Sequence, residues 1–323
     1  MMKRSGGKIF IHHDGALGDV LLSLPCIRHI RGSASAVHIA ARNEIARFLL
    51  TAGAVDEISS SDSVLFGSLY TDSPDEPVKR FLSSFDSAYV FTVNAASTLC
   101  GNIRNIVRDT KTIVAIPPQE SSEHISLYRL GQCGFSPEEA RDAEMLRVPD
   151  ALNTWANDLM DNYGFRQGRD LLIAIHPGSG GNKKCWPLHH YEALIRMLAR
   201  EPRFLVLVFS GPAEDRKTEY LLSGLKMHTE RIIHLHNEPL IRVASLIARS
   251  DFYLGNDSGI SHLAGILKCR GIVLFGPTDP ELWRPLGESL EVLRFDAGEL
   301  SRSVSEESIF RNITLYFHHG DAD

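Results

Sequence analysis

The sequence lacks most of the signatures that would settle a function quickly. Its five cysteines (Cys26, Cys100, Cys133, Cys185, Cys269) are scattered, odd in number and contain no C-x-x-C pair. That excludes a disulfide framework or a thiolate metal site and reads as reduced thiols. Positive charge is not in excess: 34 Lys+Arg stand against 40 Asp+Glu, a net charge of -6, which argues against a nucleic-acid partner. No apolar run approaches the ~18 residues of a membrane span. Lys3 and Arg4 would suit an export leader, but His12, His13, Asp14 and Asp19 interrupt its apolar region, so the chain reads as cytoplasmic. Neither G-x-G-x-x-G nor G-K-[ST] occurs, which leaves a nicotinamide site or a Walker loop without support. D-x-D occurs only as the last three residues, and the nearest approach inside the patterned sequence is Asp279-Pro280-Glu281. With no His/Cys cluster at ligand spacing, no metal and no cofactor are expected.

What is present is an alternation of apolar strands and amphipathic helices over 323 residues. That length and pattern predict an α/β protein with two doubly wound, parallel-sheet domains. We place the domains at residues 1–160 and 161–304, with a terminal segment 305–323 that carries a helix over 305–317. In the first half, strands are expected at 8–12, 36–40, 55–58, 88–93 and 112–115, and helices at 44–52 and 124–134. Pro25 predicts a kink in the first helix, or a helix that settles only after it. Residues 59–77, rich in Ser, Asp and Pro, read as a long surface loop. In the second half, strands are expected at 171–175, 203–209, 232–235, 251–255 and 271–275.

The organising stretch is 250–283. An apolar strand runs into Asn256-Asp257-Ser258-Gly259, then into a helix marked by Ile260, Leu263, Ala264 and Leu267, then into a second strand closed by Gly276-Pro277. The N–H groups and positive dipole end of such a helix suit a phosphate, although an ordinary capped crossover helix has the same pattern. Asp257, Ser258, His262, Thr278 and Asp279 gather at one sheet edge. A second anion-binding candidate is the loop His176-Pro177-Gly178-Ser179-Gly180-Gly181-Asn182-Lys183-Lys184. Its glycines let backbone N–H groups approach an anion, and lysine adds a mobile charge. Near the N-terminus, Asp19 follows the first strand within His13-Asp14-Gly15-Ala16-Leu17-Gly18-Asp19. It is either a carboxylate at the ligand crevice or an acid complementing the helix dipole.

The motifs G-A-L-G-D, H-P-G-S with K-x-W-P, G-P-x-E, N-D-S-G-x-x-H-L-A and F-G-P-T-D-P occur in that order. Together they resemble the lipopolysaccharide heptosyltransferase family, which is glycosyltransferase family nine and of GT-B architecture. The likeness is strongest at 15–25 and 171–285 and weakest over 59–150. The resemblance implies two Rossmann-like domains facing across a cleft, the acceptor in the first and the nucleotide sugar in the second. It implies that Asp19 is the catalytic base of an inverting, metal-independent transfer, and that Lys184 contacts the donor pyrophosphate. Glu214 would lie near the nucleotide ribose. Ser179, Asp257, Ser258, Gly259, His262 and Thr278 would line the donor site, and the terminal helix would cross back to the first domain. The implied partners are an ADP-sugar, with heptose as its sugar, and a lipid-linked or core oligosaccharide at the inner face of the membrane. Alternative readings are an epimerase-like sugar-nucleotide enzyme and a non-catalytic nucleotide-sugar-binding protein.

Overall fold

A computed structural model describes residues 6–119, 121–136, 146–211, 224–225, 230–295 and 304–318. The chain divides into two compact units, Met1–Arg147 and Val148–Asp323. Among its described residues the first unit holds five parallel strands: β1 (Lys8–His13), β2 (Ala36–Ala41), β3 (Glu57–Ser60), β4 (Ser87–Thr92) and β5 (Asp109–Val114). Their order is β3-β2-β1-β4-β5. Among the described residues seven α-helices accompany them: α1 (Leu17–Leu22), α2 (Leu24–Ser33), α3 (Asn43–Thr51), α4 (Val64–Gly67), α5 (Glu76–Leu82), α6 (Thr98–Ile106) and α7 (Ile125–Cys133). The first helix is broken rather than kinked. Pro25 sits in the first turn of α2, where its missing N–H costs nothing, and Ser23 is left at the junction.

The 59–77 expectation is corrected. That segment contains α4, a 3-10 turn (Ser68–Tyr70) and the start of α5, with Ser63 and Asp75 as caps. Phe66, Leu69, Val78 and Leu82 are buried against Phe10, Val90, Leu99 and Ile103. Ser63 and Asp75 are helix caps, so part of the loop signal was punctuation between short elements.

The second unit opens with α8 (Asp150–Asn162) and continues with β6 (Leu171–His176), α9 (Leu188–Leu198), β7 (Phe204–Ser210) and β8 (Ile232–His236). It goes on through α10 (Leu240–Ile247), β9 (Phe252–Asn256), α11 (Gly259–Ile266), β10 (Gly271–Phe275), α12 (Pro280–Trp283), β11 (Leu290–Arg294) and α13 (Glu306–His318). The sheet order is β11-β10-β9-β6-β7-β8, all parallel. β7 is buried at every residue, as a strand covered on both faces should be. The edge strand β11, half-buried, had not been anticipated.

One boundary moves. Helix α8 lies beyond residue 147 and packs on α10, with Arg242 over the Trp155 ring, so the first unit ends thirteen residues before 160. Helix α13 packs on α9, and Ile309 and Ile313 are fully buried in the second unit's core. Its apolar stripe is buried there. Among the described residues no helix is long and apolar enough to cross a membrane.

Candidate active site

In an open parallel sheet, ligands bind beyond the carboxyl ends of the strands, where the strand order reverses. Those points are β1/β4 in the first unit and β6/β9 in the second. The candidate residues of each unit follow these strands.

In the first unit, alternation along β1 sends His12 and His13 to opposite faces of the sheet. His13 enters the junction between α1 and α2. Its Nδ1 accepts from the Gly15 N–H (3.3 Å), and Nε2 lies 3.1 Å from Ser23 Oγ. The imidazole is fully buried, and burial, then the Arg129 guanidinium, push its pKa well below the ordinary value. It is therefore neutral, and the Gly15 contact assigns its one proton to Nε2, which donates to Ser23. Ser23 Oγ in turn donates to the Asp19 carbonyl (3.0 Å). Gly15 is required for this approach, since a Cβ there would stand 2.9 Å from both Asp19 Cβ and His13 Cε1.

Asp19 lies in the first turn of α1, but no side chain caps that helix. Its carboxylate turns to Arg129 instead, with Nη2 donating to Oδ1 at 3.2 Å. The Asp19 side chain is 35% exposed while that of Arg129 is 0% exposed. Burial lowers the pKa of Arg129 and the charge of Asp19 opposes the shift; the guanidinium stays charged. Oδ2 of Asp19 has no partner among the described residues. Arg129, on α7, carried no motif signal.

In the second unit, Asp257, Ser258 and Gly259 form the turn from β9 into α11, and Ser258 is the N-cap, accepting from the Ser261 N–H. The sequence offered Ser258 or Asp257 for this role, and Ser258 fills it. The loop after β6 folds over the same turn. Ser179 Oγ donates to the Asp257 carbonyl (2.6 Å), and Lys184 Nζ donates to Asp257 Oδ2 (2.8 Å). Asp257 is 5% exposed on its side chain, Lys184 41%. Ser258 Oγ also contacts His176 Nδ1 at 3.2 Å, and His262 is buried in the next turn of α11. Gly276 lets the loop after β10 lie beside the basic turn, because a Cβ there would be 3.1 Å from the Lys183 carbonyl.

The hub of this site was overlooked at the sequence level. Asn256, fully buried, accepts from the Trp186 N–H (2.9 Å) and the Tyr191 hydroxyl (3.0 Å) and donates to the Pro177 carbonyl (2.6 Å). One amide thus ties the basic loop to the β9 turn. Thr278 is not gathered in: it is half-buried in the loop after β10 and shares no hydrogen bond with this group among the described residues. Glu214 lies outside the described residues. No group of three His, Cys, Asp or Glu suited to a metal occurs among the described residues.

Residues 143–313 match the sequence model of Glycosyltransferase family 9 (heptosyltransferase). Over 133 residues the chain is 32% identical to lipopolysaccharide heptosyltransferase 1 of Escherichia coli O18:K1:H7, covering 41% of this chain and 39% of that relative. A longer match, 23% over 278 residues, covers 84% of this chain and 81% of lipooligosaccharide heptosyltransferase 2 of Campylobacter jejuni. The chain thus spans about two fifths of the length of the first curated relatives it matches. The fold is similar to that of E. coli ADP-heptose lps heptosyltransferase II, with a TM-score of 0.74 at 19% identity, covering 98% of this chain and 100% of that one. It is similar also to a family 9 glycosyl transferase from Veillonella parvula, with a TM-score of 0.76 at 18% identity, covering 98% and 99%. With more than half of its residues in that match and both units of the same two-sheet fold, the chain belongs to glycosyltransferase family 9.

Proposed function

We propose that this protein transfers heptose from ADP-heptose to a lipopolysaccharide-core acceptor in a single, inverting displacement. The observation that carries the reading is Asp19: a carboxylate at the carboxyl edge of the first sheet, held by one oxygen and open at the other. The acceptor hydroxyl attacks the anomeric carbon as its proton passes to Asp19 Oδ2. The new C–O bond forms as the bond to the β-phosphate breaks, and the electron pair leaves with ADP. Lys184 and the first N–H groups of α11 take the charge that develops on the diphosphate. Because the chain itself supplies that positive charge, turnover is expected to survive chelation of divalent cations. E. coli heptosyltransferase structures with ADP and with ADP-2-deoxy-2-fluoro heptose support the choice of donor. A lipid-linked acceptor places the work at the cytoplasmic face of the inner membrane.

The test is to incubate the protein with ADP-heptose, heptose-free core acceptor and EDTA, and to follow ADP release and the product's mass. ADP release that depends on acceptor, with heptose added to it, is expected. Donor binding without turnover would mean a binding protein, and an altered nucleotide sugar with no ADP release would mean an epimerase.

A further inference from the structure

Arg129 belongs to none of the motifs above and stands 110 residues from Asp19. A guanidinium has five N–H donors, and here all five are committed. Nε and Nη2 donate to the Ala115 carbonyl (3.0 and 2.9 Å), just after β5. Nη1 donates to the Asp19 carbonyl (2.6 Å) and to Ser23 Oγ (2.9 Å), and the second Nη2 proton goes to Asp19 Oδ1. The acid is thus gripped at both main chain and side chain from an anchor on another strand's loop.

We propose that Arg129 is a positioning residue for the transfer: it fixes Asp19 so that Oδ2 alone faces the acceptor hydroxyl. This rests on the reading of Asp19 as the base. A purely structural role is a poor account of this arrangement, because a buried ion pair replaced as a whole by well-packed apolar side chains often costs no stability. What apolar packing cannot do is aim a half-exposed carboxylate. Ser23, itself held by the Nε2–H of His13, shares the load by binding both the Asp19 carbonyl and Arg129. Lysine cannot substitute: three donors on one nitrogen do not span Ala115 and two atoms of Asp19.

The experiment compares Arg129→Lys, Arg129→Ala and Ser23→Ala with wild type, measuring donor Kd, acceptor KM, kcat and Tm. Misaiming a reacting group by ~1 Å costs about 10²-fold. Arg129→Lys should therefore lose roughly that factor in kcat with donor Kd and acceptor KM nearly unchanged, and Ser23→Ala a smaller part of it. Millimolar guanidinium should restore part of the loss in Arg129→Ala, where urea should not. Near-wild-type kcat in Arg129→Lys, or kcat and donor affinity falling together with Tm, would overturn the positioning role. Asp19→Asn is run beside them: an inactive Asp19→Asn with a fully active Arg129→Lys refutes the positioning role alone, whereas an active Asp19→Asn removes the base itself. If Arg129→Ala does not fold, the lysine and serine variants decide.

Discussion

Both units carry a carboxylate beyond the end of a parallel sheet, and each is paired with a cation, but the two pairs are built for different work. Arg129 is wholly buried with every donor spent, and it holds an acid that is 35% exposed. Lys184 is the reverse: a 41% exposed cation on an acid that is 5% exposed. In the first unit the cation is fixed and the acid presented; in the second the acid is fixed and the cation presented. An ammonium on a flexible stem can leave Asp257 for an incoming phosphate, whereas a five-bonded guanidinium has nowhere to go. The difference separates an acid arranged for chemistry from a lysine arranged for exchange.

The contrast breaks first at Asp19. Asp19→Asn keeps an oxygen for Arg129 but removes the base. Turnover should fall about 10²–10⁴-fold with donor affinity unchanged, and an active variant would place the chemistry elsewhere. Asn256→Ala comes next. Trp186, Tyr191 and Pro177 would lose a buried partner, so a loss of roughly 2–4 kcal/mol in stability is expected by denaturant titration. A change below ~1 kcal/mol would show that the hub relaxes.

Lys184→Ala should weaken ADP-sugar binding by roughly 1.5–3 kcal/mol, the scale of a charge-assisted bond. It also leaves Asp257 uncompensated beside the diphosphate, so adding Asp257→Asn to it should recover affinity. Calorimetry showing independent effects would deny the exchange. The smallest effect is acid sensitivity in the first unit. His12 and His13 are buried and their pKa values lie below the ordinary 6.5, through burial in both cases, with Asp14 opposing for His12 and Arg129 adding for His13. Below pH 6.5 the unfolded chain binds protons that the folded one does not. Stability should therefore fall as pH drops, by up to about 1.4 kcal/mol per pH unit for each histidine, and be flat above. Both ring nitrogens of His12 lack a partner among the described residues, so His12→Phe should flatten the slope. A slope unchanged in that variant would exclude His12 as its source.

The sheets were legible because buried parallel strands are apolar throughout, and the β9 turn because cap chemistry is local. Asp19, Ser179, Lys184, Asp257, Ser258 and Gly259 were singled out in the sequence, and the last five meet at the β9 turn. The pairings across the second site were hidden because they span 65 residues or more, as between Tyr191 and Asn256 (65), Trp186 and Asn256 (70) or Lys184 and Asp257 (73). Arg129 left one trace. It falls four residues after Ile125 and four before Cys133, on the stripe of α7 that is buried, where an arginine needs a reason. The stretch 59–77 misled because capping serines and aspartates are also loop residues. The terminal helix was legible as an amphipathic stretch, and its apolar stripe packs on α9.

The most direct test of the central claim, a single displacement with Asp19 receiving the acceptor's proton, is the anomeric configuration of the product. NMR of the glycan formed from ADP-heptose should show the linkage inverted relative to the donor. A product that retains the donor's configuration would contradict the account.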